Sequence, residues 1–574
     1  MPGALLQRRD ASPRGSRFPA RPGAATQFCC SHARSRQLFR IDRQRAPFAF
    51  SNLMMITSRL AVVGLLALVA ACAGDPPVDE PPLTDVLAQA QATPTLGPDS
   101  QFSPSPYEDV GLTGLFPVHM PEDCNIAVLD SGEDSFAVRM QSLRNATRSI
   151  RIQALVFKGD EAGLRIAEVL KQKRAEGLDV RVIVDAFSNP WLQAQWMLFD
   201  LKQNGVEVEG YEALALQWIN EVAVPLLTPH YSSSGLDNRY HEKMWIIDGE
   251  TDHGIAVTGG LNIGNEYFRV DPSDPDAYWR DQDVVLKGAV INDLVTAFDR
   301  NFDYFVDIKE SRGIFNTNLY WDATRRVLDT SGKVPIPYST EPELVESVAV
   351  LEARRPVLEF RPARCRFIQS RPRLKETYIQ QAYLKMIEHA QQEILIANAY
   401  FVPTPSITLA LEDAAGRCVA IRLVSNSPGT NDLPEISMVG RGHYKSLLAI
   451  NSKPAVEACD NPEAGIRIWE WVGQAADEPA RGQGTMHSKF AVMDSRRSLV
   501  GSYNLDPRSE KLNSETAIVF EQEELAGRLR QLFLENDLRY SREVTLEQAQ
   551  EFEDPQDVVY RFRDSIGKYF EEEL

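Results

Sequence analysis

The sequence predicts an α/β protein in which one structural unit occurs twice. Strand-like and helix-like stretches alternate along the folded part of the chain. The same succession of elements returns in the second half. Each copy carries one His-x-Lys-x(4)-Asp motif, at 241–248 and 487–494. The 574 residues suffice for two to four domains with cores of their own.

Residues 1–72 form a leader. Residues 1–53 are rich in Arg, Ser, Pro and Ala without apolar periodicity, a composition that does not fold. Met54-Met55-Ile56-Thr57-Ser58-Arg59 then precedes an apolar run from Leu60 to Ala71, which is secretory-signal grammar and too short for a stable span. The pattern points to a start at Met54 or Met55. Val69-Ala70-Ala71-Cys72 resembles a bacterial lipobox, which implies lipidation of Cys72 and a membrane-anchored lipoprotein facing the periplasm. The alternative is a plain cleaved signal. Ala73 resembles the residue of lipoproteins sorted to the outer membrane.

A Pro-rich tether follows at 73–119. The first unit, 120–310, reads as the strand Ser149–Phe157, a helix carrying Leu164, Ala167 and Leu170 that stops near Gly177, and a strand at Val180–Val184. The second, 376–545, repeats this with Glu393–Phe401, Ile407–Ala415, Gly416 as the stop, and Val419–Val424. Amphipathic helices follow each motif, marked by Leu294, Phe298, Phe302 and Phe305 and by Leu525, Leu529, Leu532 and Phe533. Residues 311–375 mix Pro, Arg and Glu and read as a linker over the surface, and 546–574 as an acidic tail.

Charge narrows the function. Residues 1–72 hold eleven arginines and two acids, a balance of +9 within a total of −19, so the remainder carries −28. Such a body repels polyanions, and no nucleic-acid partner is expected. Cys124, Cys365, Cys418 and Cys459 lack zinc-ligand spacing; they are read as disulfides of unassigned pairing or as buried thiols.

In Arg239-Tyr240-His241-Glu242-Lys243 and Thr485-Met486-His487-Ser488-Lys489, His and Lys stand at i and i+2, so on an extended chain they share a face. Gly259-Gly260-Leu261-Asn262 follows one motif and Gly501-Ser502-Tyr503-Asn504 the other. Read as antiparallel hairpins with index sums of 503 and 991, these set Lys243 opposite Gly260 and Lys489 opposite Ser502, gathering His, Lys and Asn twice. Asp281 and Glu515 lie downstream, suited to hold an imidazole in one tautomer. The other six histidines (His32, His119, His230, His253, His389, His443) read as ordinary, as do Tyr400, Phe401 and Trp245 in the core.

These residues resemble the phospholipase D superfamily over roughly 120–545. Tyr400–Thr404, Ser425-Asn426-Ser427 with Asn431-Asp432, Gly501–Ser509 and the Gly259–Phe268 run look most like bacterial cardiolipin synthases. The resemblance implies a duplicated phospholipase D fold, two α/β/α lobes with pseudo-twofold symmetry and the site between them. It implies a catalytic set of His241, Lys243, Asp248, His487, Lys489 and Asp494, with the two aspartates closing turns rather than doing chemistry. Asn262, Ser502 and Asn504 are expected on the substrate phosphate. No metal or cofactor is expected. The implied reaction is phosphatidyl transfer on membrane phospholipid through a phosphohistidine, with His241 as nucleophile and His487 as acid and base. The competing readings are a hydrolase releasing phosphatidic acid, a secreted nuclease and a non-catalytic lipid-binding protein.

Overall fold

The computed structural model describes residues 122–553 except 186–187, 190, 212–238, 272, 275–277, 313–337, 373–375 and 476–482. The leader with Cys72, the tether and the tail beyond 553 lie outside the described residues.

The first lobe contributes β1 (Glu122–Leu129), β2 (Ser149–Ala154), β3 (Asp179–Asp185), β4 (Glu207–Tyr211), β5 (Met244–Ile247), β6 (Ile255–Gly259) and β7 (Asp283–Gly288). The second contributes β8 (Arg361–Ser370), β9 (Glu393–Asn398), β10 (Ala420–Asn426), β11 (Gly465–Trp471), β12 (Lys489–Met493), β13 (Arg497–Gly501), β14 (Glu515–Glu521) and β15 (Ser541–Val544). All fifteen join one sheet in the order β4-β3-β2-β5-β6-β7-β1-β8-β14-β13-β12-β9-β10-β11-β15. Read outward from the β1–β8 pair, the two halves have the same order, and β15 is added at one edge. The antiparallel β1–β8 pair therefore lies on the axis of the duplication.

Helices α1 (Gly132–Asn145), α2 (Glu161–Ala175) and α3 (Leu192–Gln203) cover one face of the first half. In the second half α6 (Tyr378–Glu388), α7 (Pro405–Gly416) and α8 (Pro434–Ala449) take the corresponding places, after α5 (Pro342–Ala353). The opposite face is covered by α4 (Val290–Arg312) and α9 (Glu523–Gln531), whose apolar residues share one core across both lobes. This is the α/β/α layering the duplication implied. With both faces covered, the motif strands are apolar throughout: Met244-Trp245-Ile246-Ile247 and Phe490-Ala491-Val492-Met493 are fully buried.

Two readings of the sequence need correction. The segment 311–375 is not simply a surface linker, because its Arg361–Ser370 stretch is β8, at the middle of the sheet. Three arginines and Pro362 hide the strand, and its partners β1 and β14 are remote in sequence. Both motif hairpins also pair one residue tighter than expected, with Met244 opposite Thr258 and Phe490 opposite Val500. The second turn is only Asp494–Arg496, made possible by positive φ at Asp494 and Ser495.

The cysteines pair as Cys124–Cys365, between β1 and β8, and Cys418–Cys459. The first ties the lobes covalently at their axis.

Candidate active site

Each motif leaves its own lobe to pair with the other. His241 N donates to Ser514 O at 2.9 Å, and His487 N donates to Arg280 O at 2.7 Å. Short parallel bridges, Tyr240 with Ser514 and Arg280 with Met486, fix these contacts. The acids are thereby exchanged between lobes. His241 Nδ1 lies 2.8 Å from Glu515 Oε2, and His487 Nδ1 lies 2.8 Å from Asp281 Oδ2. A neutral imidazole that donates from Nδ1 keeps its Nε2 lone pair for attack or proton transfer. Lys243 and Lys489 each donate to the carbonyl of the histidine two residues earlier, at 2.6 Å.

The electrostatics are those of cations and anions buried together. Burial, then Lys243 and Lys489, holds His241 well below its ordinary range. Burial and Lys489 do the same to His487, with Asp432 pulling the other way and His241 adding a further depression. Burial pushes Glu515 and Asp281 up to about 7 against the lysines, Lys243 first at Glu515 and Lys489 first at Asp281. Burial likewise brings Lys243 down to about 7 and Lys489 down to about 8. An anion placed between the lysines would restore their charge, so the site suits a phosphate. Among the described residues no group of three or more His, Cys, Asp or Glu is arranged to hold a metal ion.

Other expected residues sit elsewhere. Asp248 and Asp494 do not join the imidazoles, from which a strand of about 3.3 Å per residue separates them. Asp248 accepts from the backbone N–H groups of Thr147, Arg148 and Ser149, and Asp494 from those of Gln391, Gln392 and Glu393. Both stitch the hairpin turn to the start of the neighbouring strand. Ser502, expected on the phosphate, instead donates to Glu515 and accepts from Thr516 N. Ser509 and Asn513 donate to the other Glu515 oxygen, at 3.0 and 3.3 Å. The first half has Gly260 where Ser502 stands, for a steric reason. A Cβ there would fall 2.3–2.7 Å from the Asp281 carboxyl group. The shorter acid occupies the space of the missing side chain.

Asn262 is engaged, donating to Tyr267 Oη at 3.0 Å and accepting from Val156 N at 3.2 Å. Asn504 is 3 % exposed, and its Oδ1 has no hydrogen-bond partner among the described residues. His253 is on the surface, 69 % exposed at its side chain. Trp245 and Phe401 are in the core, but Tyr400 stands at the site.

A family model described as "Cardiolipin synthase, PLD-like domain" matches residues 140–303 and 383–537. The chain belongs to this phospholipase D-like family. A cardiolipin synthase of Halalkalibacterium halodurans is 27% identical over 392 residues, 68% of this chain and 61% of the relative, so less than two thirds of that relative is spanned. A probable cardiolipin synthase of Bacillus subtilis is 27% identical over 426 residues, 73% of this chain and 67% of the relative. Among solved structures, phosphatidylserine synthase of Haemophilus influenzae aligns at a TM-score of 0.49 and 15% identity, covering 78% of this chain and 95% of that one.

Several residues support this phospholipase D-like site in roles that the sequence did not assign to them. Asn426 grips Met486, beside His487, through both its amide atoms at 2.6 and 3.0 Å. Arg280, 2 % exposed, anchors the chain before Asp281 to Asp537 of the other lobe at 2.9 Å. Asp537 ends a single π-helical stretch, Leu532–Asp537, of the kind often retained at functional sites. Glu242 is fully buried behind the motif and accepts from Gln153, Asn301 and Gln369. Tyr267 and Trp279 wall the His487 ring at 5.5 Å. None forms a local pattern, since each partner comes from a distant segment.

Proposed function

We infer that the chain is a phosphatidyltransferase of the cardiolipin synthase type, working through a phosphohistidine. The observation that carries this is the exchanged pair, His241 on Glu515 and His487 on Asp281. The phosphate anion, once bound, favours the protonated form of His487; His241 Nε2 then attacks phosphorus while the leaving oxygen takes that proton from His487 Nε2, giving phosphatidyl-His241, a free alcohol and neutral His487. His487 then removes the proton of an incoming alcohol, whose oxygen displaces His241 and forms the new diester. Lys243, Lys489 and Asn504 meet the non-bridging oxygens as charge gathers there. The richer hydrogen bonding of Glu515 supports giving His241 the nucleophilic role. A carboxylate already sharing three other donors pulls less on the imidazole proton, which favours a nitrogen that must later leave.

One feature supports an exported enzyme, for which Cys72 would be the lipid attachment: both disulfides fit an oxidising compartment. The test is to incubate the purified protein with phosphatidylglycerol and phosphatidylethanolamine and identify products by mass spectrometry. Cardiolipin supports the transferase, and phosphatidic acid alone makes the chain a hydrolase. DNA cleavage without lipid turnover overturns both.

A further inference from the structure

Loops leaving the C-terminal ends of parallel strands shape the mouth of the site, the usual place for a ligand in such sheets. The loop after β9 carries Tyr400 and the loop after β10 carries Asp432. Tyr400 is half-buried, with its ring 5.9 Å from Lys489 Nζ, and its hydroxyl donates to Asp432 Oδ1 at 2.7 Å. Neighbours on both sides fix the position of Asp432. Thr485 Oγ1, two residues before His487, donates to Thr430 O at 2.8 Å. Asn431 donates to Ser437 Oγ at 2.6 Å and accepts from Leu433 N at 2.9 Å.

Asp432 itself is exposed, and the Tyr400 hydroxyl is its only hydrogen-bond partner among the described residues. Its charge nonetheless acts on Lys158 and Tyr267 of the first lobe and on His487 and Lys489 of the second. A fixed carboxylate one tyrosine ring from a phosphate-binding lysine serves no purpose for the phosphate, whose oxygens it repels. It can accept only from a hydrogen-bond donor carried by the rest of the substrate. On the His487 side, that is the alcohol entering or leaving.

We propose that Asp432, held by Tyr400, selects the alcohol: it accepts a hydrogen bond from a second donor on that alcohol. The site thereby prefers a polyol or an amino alcohol to a simple alcohol. The selection rests on the transfer reading given above. A charge-assisted hydrogen bond at such a rim corresponds to about 10- to 100-fold in selectivity.

The experiment uses phosphatidyl-p-nitrophenol as donor in mixed micelles, with glycerol, ethanolamine and 1-propanol competing as acceptors. Nitrophenol release reports the first step, and mass spectrometry of the lipid products reports the choice of acceptor. In the wild type, glycerol or ethanolamine product exceeds propanol product; D432A lowers that ratio about 10- to 100-fold, and Y400F lowers it by less. If the ethanolamine product is the one lost in D432N, the recognised donor is an ammonium; if the glycerol product is lost, it is a hydroxyl. Ratios within twofold of wild type in D432N and Y400F overturn the selection while leaving transfer intact. Absence of nitrophenol release by the wild type overturns the transfer reading and the selection with it.

Discussion

Replacing Glu515 by glutamine preserves its volume and reverses half of its hydrogen-bonding capacity. Glu515 Oε2 faces His241 Nδ1 and the Ser502 hydroxyl, while Oε1 faces Ser509 and Asn513. If the new amide nitrogen points toward His241, Nδ1 must become the acceptor and the proton moves to Nε2, the nitrogen required for attack. If it points the other way, it meets the Asn513 amide donor head-on. Loss of the charge-assisted bond alone removes about 1.5–3 kcal/mol, or roughly 10- to 150-fold in rate. Inverting the tautomer raises the loss to on the order of 10,000-fold, as in other His–carboxylate pairs. The expected fall in kcat is therefore between about 10- and 10,000-fold, with KM little changed. Headgroup release from a short-chain phospholipid measures it, and near-ultraviolet circular dichroism checks that E515Q folds. Since Glu515 belongs to the opposite lobe from His241, this variant tests the exchange directly. A folded E515Q within threefold of wild type would refute it.

Four further outcomes are expected. Burial lowers Lys243 to about 7 and Lys489 to about 8, so the ammonium charges are present below these values and lost above them; kcat/KM should fall as pH rises through 7–8, and a profile flat to pH 9.5 contradicts this. Gly260→Ala places a methyl against the Asp281 carboxyl group and should push it off His487, cutting kcat about 10- to 100-fold, whereas Ser502→Ala should cost less than that. Asp494→Ala strands three backbone N–H groups at a cost of about 2–4 kcal/mol; for the roughly 360 described residues this lowers Tm by roughly 3–5 °C, with kcat per folded molecule within about threefold. Reduction of Cys124–Cys365, which spans 241 residues, should cost roughly 5 kcal/mol by chain entropy and about 6–7 °C in Tm, and the C124S/C365S variant should match it.

The repeat and the motif residues were legible because they are local. Strand-helix alternation and the spacing of His and Lys are properties of short segments. The sheet's centre was not: β8 is defined by pairing with β1 and β14, and its arginines mask the alternation that would mark it. Nor could spacing say which acid serves which histidine, because the exchange depends on how two lobes meet. Nor could spacing show that Ser502 donates to Glu515, since the two residues meet only through a strand pair. The second hairpin's register differs by one because a three-residue turn with left-handed residues is tighter than polarity alone suggests.

The exchange of acids has a consequence for the ancestry of such a chain. A lone half carries an imidazole and a carboxyl group that do not serve each other, so two identical halves, docked head to head, would already make two complete pairs. In one chain the halves are free to differ only crosswise: Gly260 leaves room for Asp281 and Ser502 donates to Glu515, while the imidazole that each acid supports sits in the sister half.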